Sequence, residues 1–111
     1  MSTFNYTVET MHKGYIVHLT GKAGGPESEQ LETELNRLAN LKPAVMVLDM
    51  GGLEYLSSMG ISAIVRLHKL LKETGGVVRL AAVPPAISSI LSAAHIDRLV
   101  PLFADVKSAS A

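Results

Sequence analysis

Four consecutive apolar residues, Val45-Met46-Val47-Leu48, restrict what this chain can become more than any other feature. A strand without a polar member has no wet side, so it needs cover on both faces, and its β-branched valines with Pro43 just ahead favour extended backbone over helix. Over 60–74 the period changes. Gly60, Ile64, Leu67 and Leu71 run along the centre of an apolar stripe flanked by Ile61, Ala63, His68 and Leu70, while Ser62, Arg66, Lys69 and Glu73 fall on the opposite side. Gly75-Gly76 then supplies a left-handed cap. The apolar run over 77–83 reads as the next strand, parallel to the first if the helix between them is a right-handed crossover. The stretch from Asp49 through Gly51-Gly52 to Gly60 is expected to be the turn that joins strand to helix.

Around this unit the pattern is simpler. Phe4, Tyr6 and Val8 alternate with Asn5, Thr7 and Glu9; after a turn at Met11-His12-Lys13-Gly14, Tyr15, Val17 and Leu19 alternate with Ile16, His18 and Thr20. The two runs predict an antiparallel hairpin, with His12 solvated in its turn and His18 exposed or satisfied locally. Gly21-Lys22-Ala23-Gly24-Gly25-Pro26 breaks the second strand, and Pro26 suits the first turn of a helix with Leu31, Leu35 and Leu38 on its buried stripe. Pro84-Pro85 opens a third helix running to about His95, with Ile87, Ile90, Leu91 and Ala94 as its stripe. A short edge segment containing Pro101 follows, and 107–111 carries too little apolar material to dock, so it is expected to fray.

The chain's 111 residues suit one domain, 1–111. Ten basic and ten acidic residues balance, with no basic stripe interleaved with aromatics, so nucleic acid is not an expected partner. With no cysteine there is neither a disulfide framework nor a thiolate metal site, and no apolar run approaches the roughly 18 residues of a membrane span. The first five residues show no leader pattern. The expectation is a cytoplasmic protein without direct membrane insertion.

Chemistry concentrates at Ser57-Ser58, where three readings meet. Serine is a preferred helix N-cap, and one of the two fits that role. A nucleophilic serine at a strand-to-helix turn wants glycine two positions earlier, but Leu56 stands there, so no enzyme is expected and no catalytic residue is assigned. The third reading is modification: phosphate on Ser58 adds about −1.5 to −2 charge, tolerated at a helix N-terminus but costly under an apolar partner.

The element order, the Leu56-Ser57-Ser58-Met59-Gly60-Ile61 turn, the Gly75-Gly76 stop and the Ala82-Val83-Pro84-Pro85-Ala86-Ile87 helix start resemble the STAS domain of bacterial anti-sigma factor antagonists. The resemblance covers nearly the whole chain and is strongest over 45–103. It implies an α/β fold: a mixed, mostly four-stranded sheet with helices packed mainly on one face. It also implies a binding switch. Unphosphorylated, such a protein captures an anti-sigma factor serine kinase and frees a sigma factor; phosphorylated by that kinase, it lets go, and a serine phosphatase resets it. By position, Ser58 matches the phosphoacceptor, with Ser57 the second choice. The implied partner surface comprises Gly24, Gly25, Leu56, Ser57, Ser58, Met59 and Gly60, with Ser62, Arg66 and Lys69 on the outer helix face. Ser57 and Gly24 depart from the pattern, since both fall where the family often has aspartate. The resemblance implies neither cofactor nor metal. A second reading, a constitutive assembly subunit such as the cytosolic STAS component of a lipid-transport ATPase complex, needs the same surface without phosphate. Either sheet edge is open to a homodimer contact.

Overall fold

The computed structural model describes residues 4–111, so the leader reading at 1–3 lies outside the described residues. The chain runs β1 (Asn5–Met11), β2 (Gly14–Ala23), α1 (Gly25–Ala39), β3 (Val45–Leu56), α2 (Ser58–Glu73), β4 (Val77–Ala81), α3 (Pro85–Ala93), a 3-10 turn (Ile96–Arg98), β5 (Leu102–Phe103) and α4 (Val106–Ser110). The five strands lie in the order β1-β2-β3-β4-β5. β1 pairs with β2 antiparallel, as the alternation predicts, and every later pairing is parallel.

β3 explains the layers. Met46, Leu48 and Met50 enter the main core with Leu31, Leu35 and Leu38 of α1 and Ile64, Leu67 and Leu71 of α2, while Val45 and Val47 join Ile16, Ala81 and Ala109 in a second cluster. Alternate residues of a strand face opposite ways, so the unbroken apolar run requires both clusters. The stop after α2 is a Schellman arrangement: Gly75 has φ +81°, its N–H donates to Lys72 O at 3.2 Å, and the Gly76 N–H donates to Leu71 O at 2.8 Å.

Four expectations are corrected. The sheet has five strands rather than four, because Leu102 and Phe103 pair beside Leu80 and Ala81. The supposed turn from Asp49 onward is strand as far as Leu56, with register shifts between His18 and Thr20 and between Gly21 and Lys22 that absorb its extra residues. Ala94 is exposed past the end of α3, and His95 adopts the left-handed conformation at φ 61°. The tail at 107–111 does not fray. Asp105 caps α4 by accepting from the Ser108 N–H at 2.8 Å, Ala109 is wholly buried, and Arg79 Nη1 donates to Ala109 O at 3.0 Å. This places a short helix on the second face of the sheet, while α1, α2 and α3 pack on the first, so the helices lie mainly on one face as expected.

Replacing Ala109 with Asp would bury an unpaired carboxylate, and the expected cost is about 1–3 kcal/mol in urea unfolding. A loose tail would leave the midpoint unmoved.

Candidate functional site

At the end of β3 the chain crosses directly into α2, and two adjacent serines take different fates. Ser57 is the N-cap, in extended conformation, with its Oγ accepting from the Gly60 N–H at 3.2 Å. That oxygen also lies 3.0 Å from Ser28 Oγ on α1, and Ser28 Oγ donates to Ala23 O at 3.2 Å. A hydroxyl has a single proton. With the Ser28 proton committed to Ala23, Ser57 donates to Ser28 while it accepts from Gly60. The Ser57 N–H in turn donates to Ala23 O at 2.9 Å. The Ser57 hydroxyl thus both donates and accepts, and the residue is only 9% exposed.

Ser58 is the first residue of α2 and is exposed. First-turn N–H groups have no partner inside the helix, and the aligned peptide dipoles leave partial positive charge there. The N-terminus of α1 lies alongside: a Cβ on Gly25 would sit 3.7 Å from Met59 Sδ. Gly24 is the N-cap of α1 without a side-chain bond. Gly60 holds the corner closed, since a Cβ there would come within 2.4 Å of Leu56 Cδ1 and 3.1 Å of Ser28 Oγ.

Of the residues expected on the partner surface, three are not presented to solvent. Leu56, Ser57 and Gly60 are buried and shape the corner from beneath. Ser58 and Met59 are exposed, and Tyr55, which the sequence reading passed over, is 49% exposed. Its cue was weak: the register shift near Lys22 sets two successive residues, Glu54 and Tyr55, outward and breaks the alternation that would have flagged it. Farther along α2, Ser62, Arg66 and Lys69 border a shallow groove with Ile61 and Val65 in it, and Arg66 reaches Glu32 on α1 at 3.7 Å. His68 lies ten residues beyond Ser58 on the same helix, roughly 15 Å away, too far to act as its base.

His18 is bound more firmly than an exposed strand histidine. Its Nδ1 is 2.6 Å from Asp49 Oδ2 on β3 and its Nε2 is 2.9 Å from Glu9 Oε1 on β1, so one imidazole links three strands. The Asp49 and then the Glu9 hydrogen bonds hold its pKa above the ordinary histidine value, against a smaller opposing effect of burial.

A five-stranded α/β sheet whose long central strand ends in a serine-capped helix defines a class, and a family comparison specifies it. Residues 5–109 match the STAS domain, and the chain belongs to that family. BtrV of Bordetella bronchiseptica, assigned as an anti-sigma factor antagonist, is 26% identical over 96 residues, spanning 86% of this chain and 83% of that one. The crystal structure of an anti-sigma factor antagonist from Mycobacterium paratuberculosis superposes with a TM-score of 0.85 at 23% identity, covering 99% of this chain and 96% of the other. SpoIIAA in its unphosphorylated form also gives 0.85, at 13% identity with 96% and 93% covered. The phosphorylated form of the Bacillus protein gives 0.78, with 96% of each chain covered.

Two measurements test this geometry. Ser57→Ala removes a cap and a partner of Ser28, so urea unfolding is expected to show a loss of about 1–2 kcal/mol, whereas Ser58→Ala stays within about 0.5 kcal/mol of the parent. For His18, a raised folded-state pKa means that its contribution is complete below the unfolded value of about 6.5 and disappears as pH rises through the folded one. The side chains are partly exposed, so the amount is under about 1 kcal/mol. NMR should place the imidazole midpoint above 6.5, and the stability advantage over His18→Gln should shrink across that rise.

Proposed function

We propose that this protein is an anti-sigma factor antagonist, a protein-binding module without an enzymatic role of its own, whose docking surface is gated at Ser58. The observation that carries the proposal is the contrast at the head of α2: the Ser57 hydroxyl is used up in holding three segments together, while the next hydroxyl faces solvent. A kinase can reach the second without disturbing the first. The names of the relatives support the class, and the two solved forms of SpoIIAA support phosphorylation as the control.

A phosphate on Ser58 would sit on the positive end of α2, so the fold keeps its cap and its core. Tyr55 and Met59, both about half exposed, supply apolar area for a partner beside it. The partner is an anti-sigma factor serine kinase, which binds the neutral serine, transfers phosphate to it and then leaves, because closing Tyr55 and Met59 against it would bury a dianion. A serine phosphatase restores the neutral form. Absence of aspartate at 57 and 24 removes two negative charges that would otherwise oppose the phosphate. On this reading those departures still allow modification.

The test is to incubate the protein with the anti-sigma kinase of its own cell and ATP, map the phosphosite and measure binding. The expected site is Ser58, with binding retained by Ser58→Ala and weakened at least tenfold, about 1.4 kcal/mol, by Ser58→Asp. Phosphate on Ser57, or undiminished binding by Ser58→Asp, would overturn the reading in favour of a constitutive assembly surface.

A further inference from the structure

At the other end of α2, some fourteen residues and roughly 20 Å from Ser58, the sheet edge opens into a groove of about 390 Å³. Its origin lies in the shortness of β5. Leu102 and Phe103 pair only with Leu80 and Ala81, and Pro101 has no N–H with which to extend the ladder, so Val77, Val78 and Arg79 have no strand on that side. The groove is lined by apolar groups of Val77, Leu99 and Phe103 together with the cationic or basic side chains of His68, Lys72 and Arg79. No acidic side chain lines it.

Two features set it apart from an ordinary seam. Val77 and Leu99, 43% and 47% exposed, are two large apolar residues left facing solvent on its walls. Among the described residues Lys72 and His68 make no ion pair, and Arg79 is held in place over the Phe103 ring at 5.5 Å while its Nη1 serves the carbonyls of Ala109 and Ala111. A guanidinium has five N–H donors, so Arg79 keeps others beyond that nitrogen. The groove falls in the size range of small-molecule sites, which combine apolar walls with a few placed polar groups.

We propose that this groove binds a small organic anion with an apolar body, the body lying against Val77, Leu99 and Phe103 and the anionic group meeting Lys72, His68 and Arg79. Charge complementarity selects that occupant over a neutral or cationic one. Size selects it over a protein segment, because only three residues of β4 are open and an added strand would find too few ladder partners. Because the groove is remote from Ser58, this inference stands apart from the proposed control of docking.

The probe is octanoate, followed by amide NMR on the intact protein, with octyl phosphate as the second headgroup and octylammonium and acetate as controls. Saturable shifts are expected at Val77, Arg79, Leu99 and Phe103 with octanoate or octyl phosphate, the tighter of the two identifying the preferred headgroup. Octylammonium and acetate should leave those amides unmoved. Lys72→Gln and Leu99→Gln, both at exposed positions, should each weaken binding about tenfold without changing the melting midpoint. The inference is overturned if neither anion saturates the site, if octylammonium or acetate shifts the same amides equally, or if both variants bind as the parent does.

Discussion

The double burial of β3 governs the rest of the molecule. Its residues alternate between two sealed sides, Met46 and Leu48 under α1 and α2, Val45 and Val47 toward α4. A slip of one residue would exchange the two sets and misfit both, so the register is fixed. Pairing with β2 carries that fixed register along the strand to Leu56 opposite Ala23. Ala23 O is the acceptor for both the Ser57 N–H and the Ser28 hydroxyl, so the beginning of α2 is located by the same ladder that organises the core.

At that corner, equal side chains acquire unequal chemistry from a single step along the backbone. Ser57 turns inward and is saturated by Gly60 and Ser28; Ser58 turns outward at the positive end of the helix. The inward hydroxyl is a fastener between α1 and α2, and the outward one is available to an enzyme. Packing beneath them is tight enough that Gly60 has no room for a methyl group beside Leu56. Rigidity below and access above are properties of the same turn.

Much of this was legible in the sequence, where one period dominated. The hairpin, the stripe of α1, the stripe of α2 and the parallel β4 follow from alternation or helical spacing, and each lies where that spacing placed it. The errors fall where a local signal competes with tertiary context. Gly51-Gly52 reads as a turn, yet the sheet keeps it extended through a register shift. Val106 to Ser110 reads as a weak tail, and it is helical because an aspartate caps it and the second sheet face offers a dry seat for Ala109. Ser57 was recognised as one of two candidate caps, but the choice between them depends on Ser28, distant in sequence and near in space. His18 could not be read for the same reason: its two carboxylates come from different strands.

The spatial order of the strands repeats their order along the chain. No strand must be threaded between two that have already paired. As the polypeptide lengthens during synthesis, each new strand can add to an edge that is already waiting, and the closures required are short ones between successive segments. The sheet can therefore grow outward from its amino-terminal hairpin like a row of planks laid one after another, and the far face of the third plank is closed last, when Ala109 of α4 reaches it.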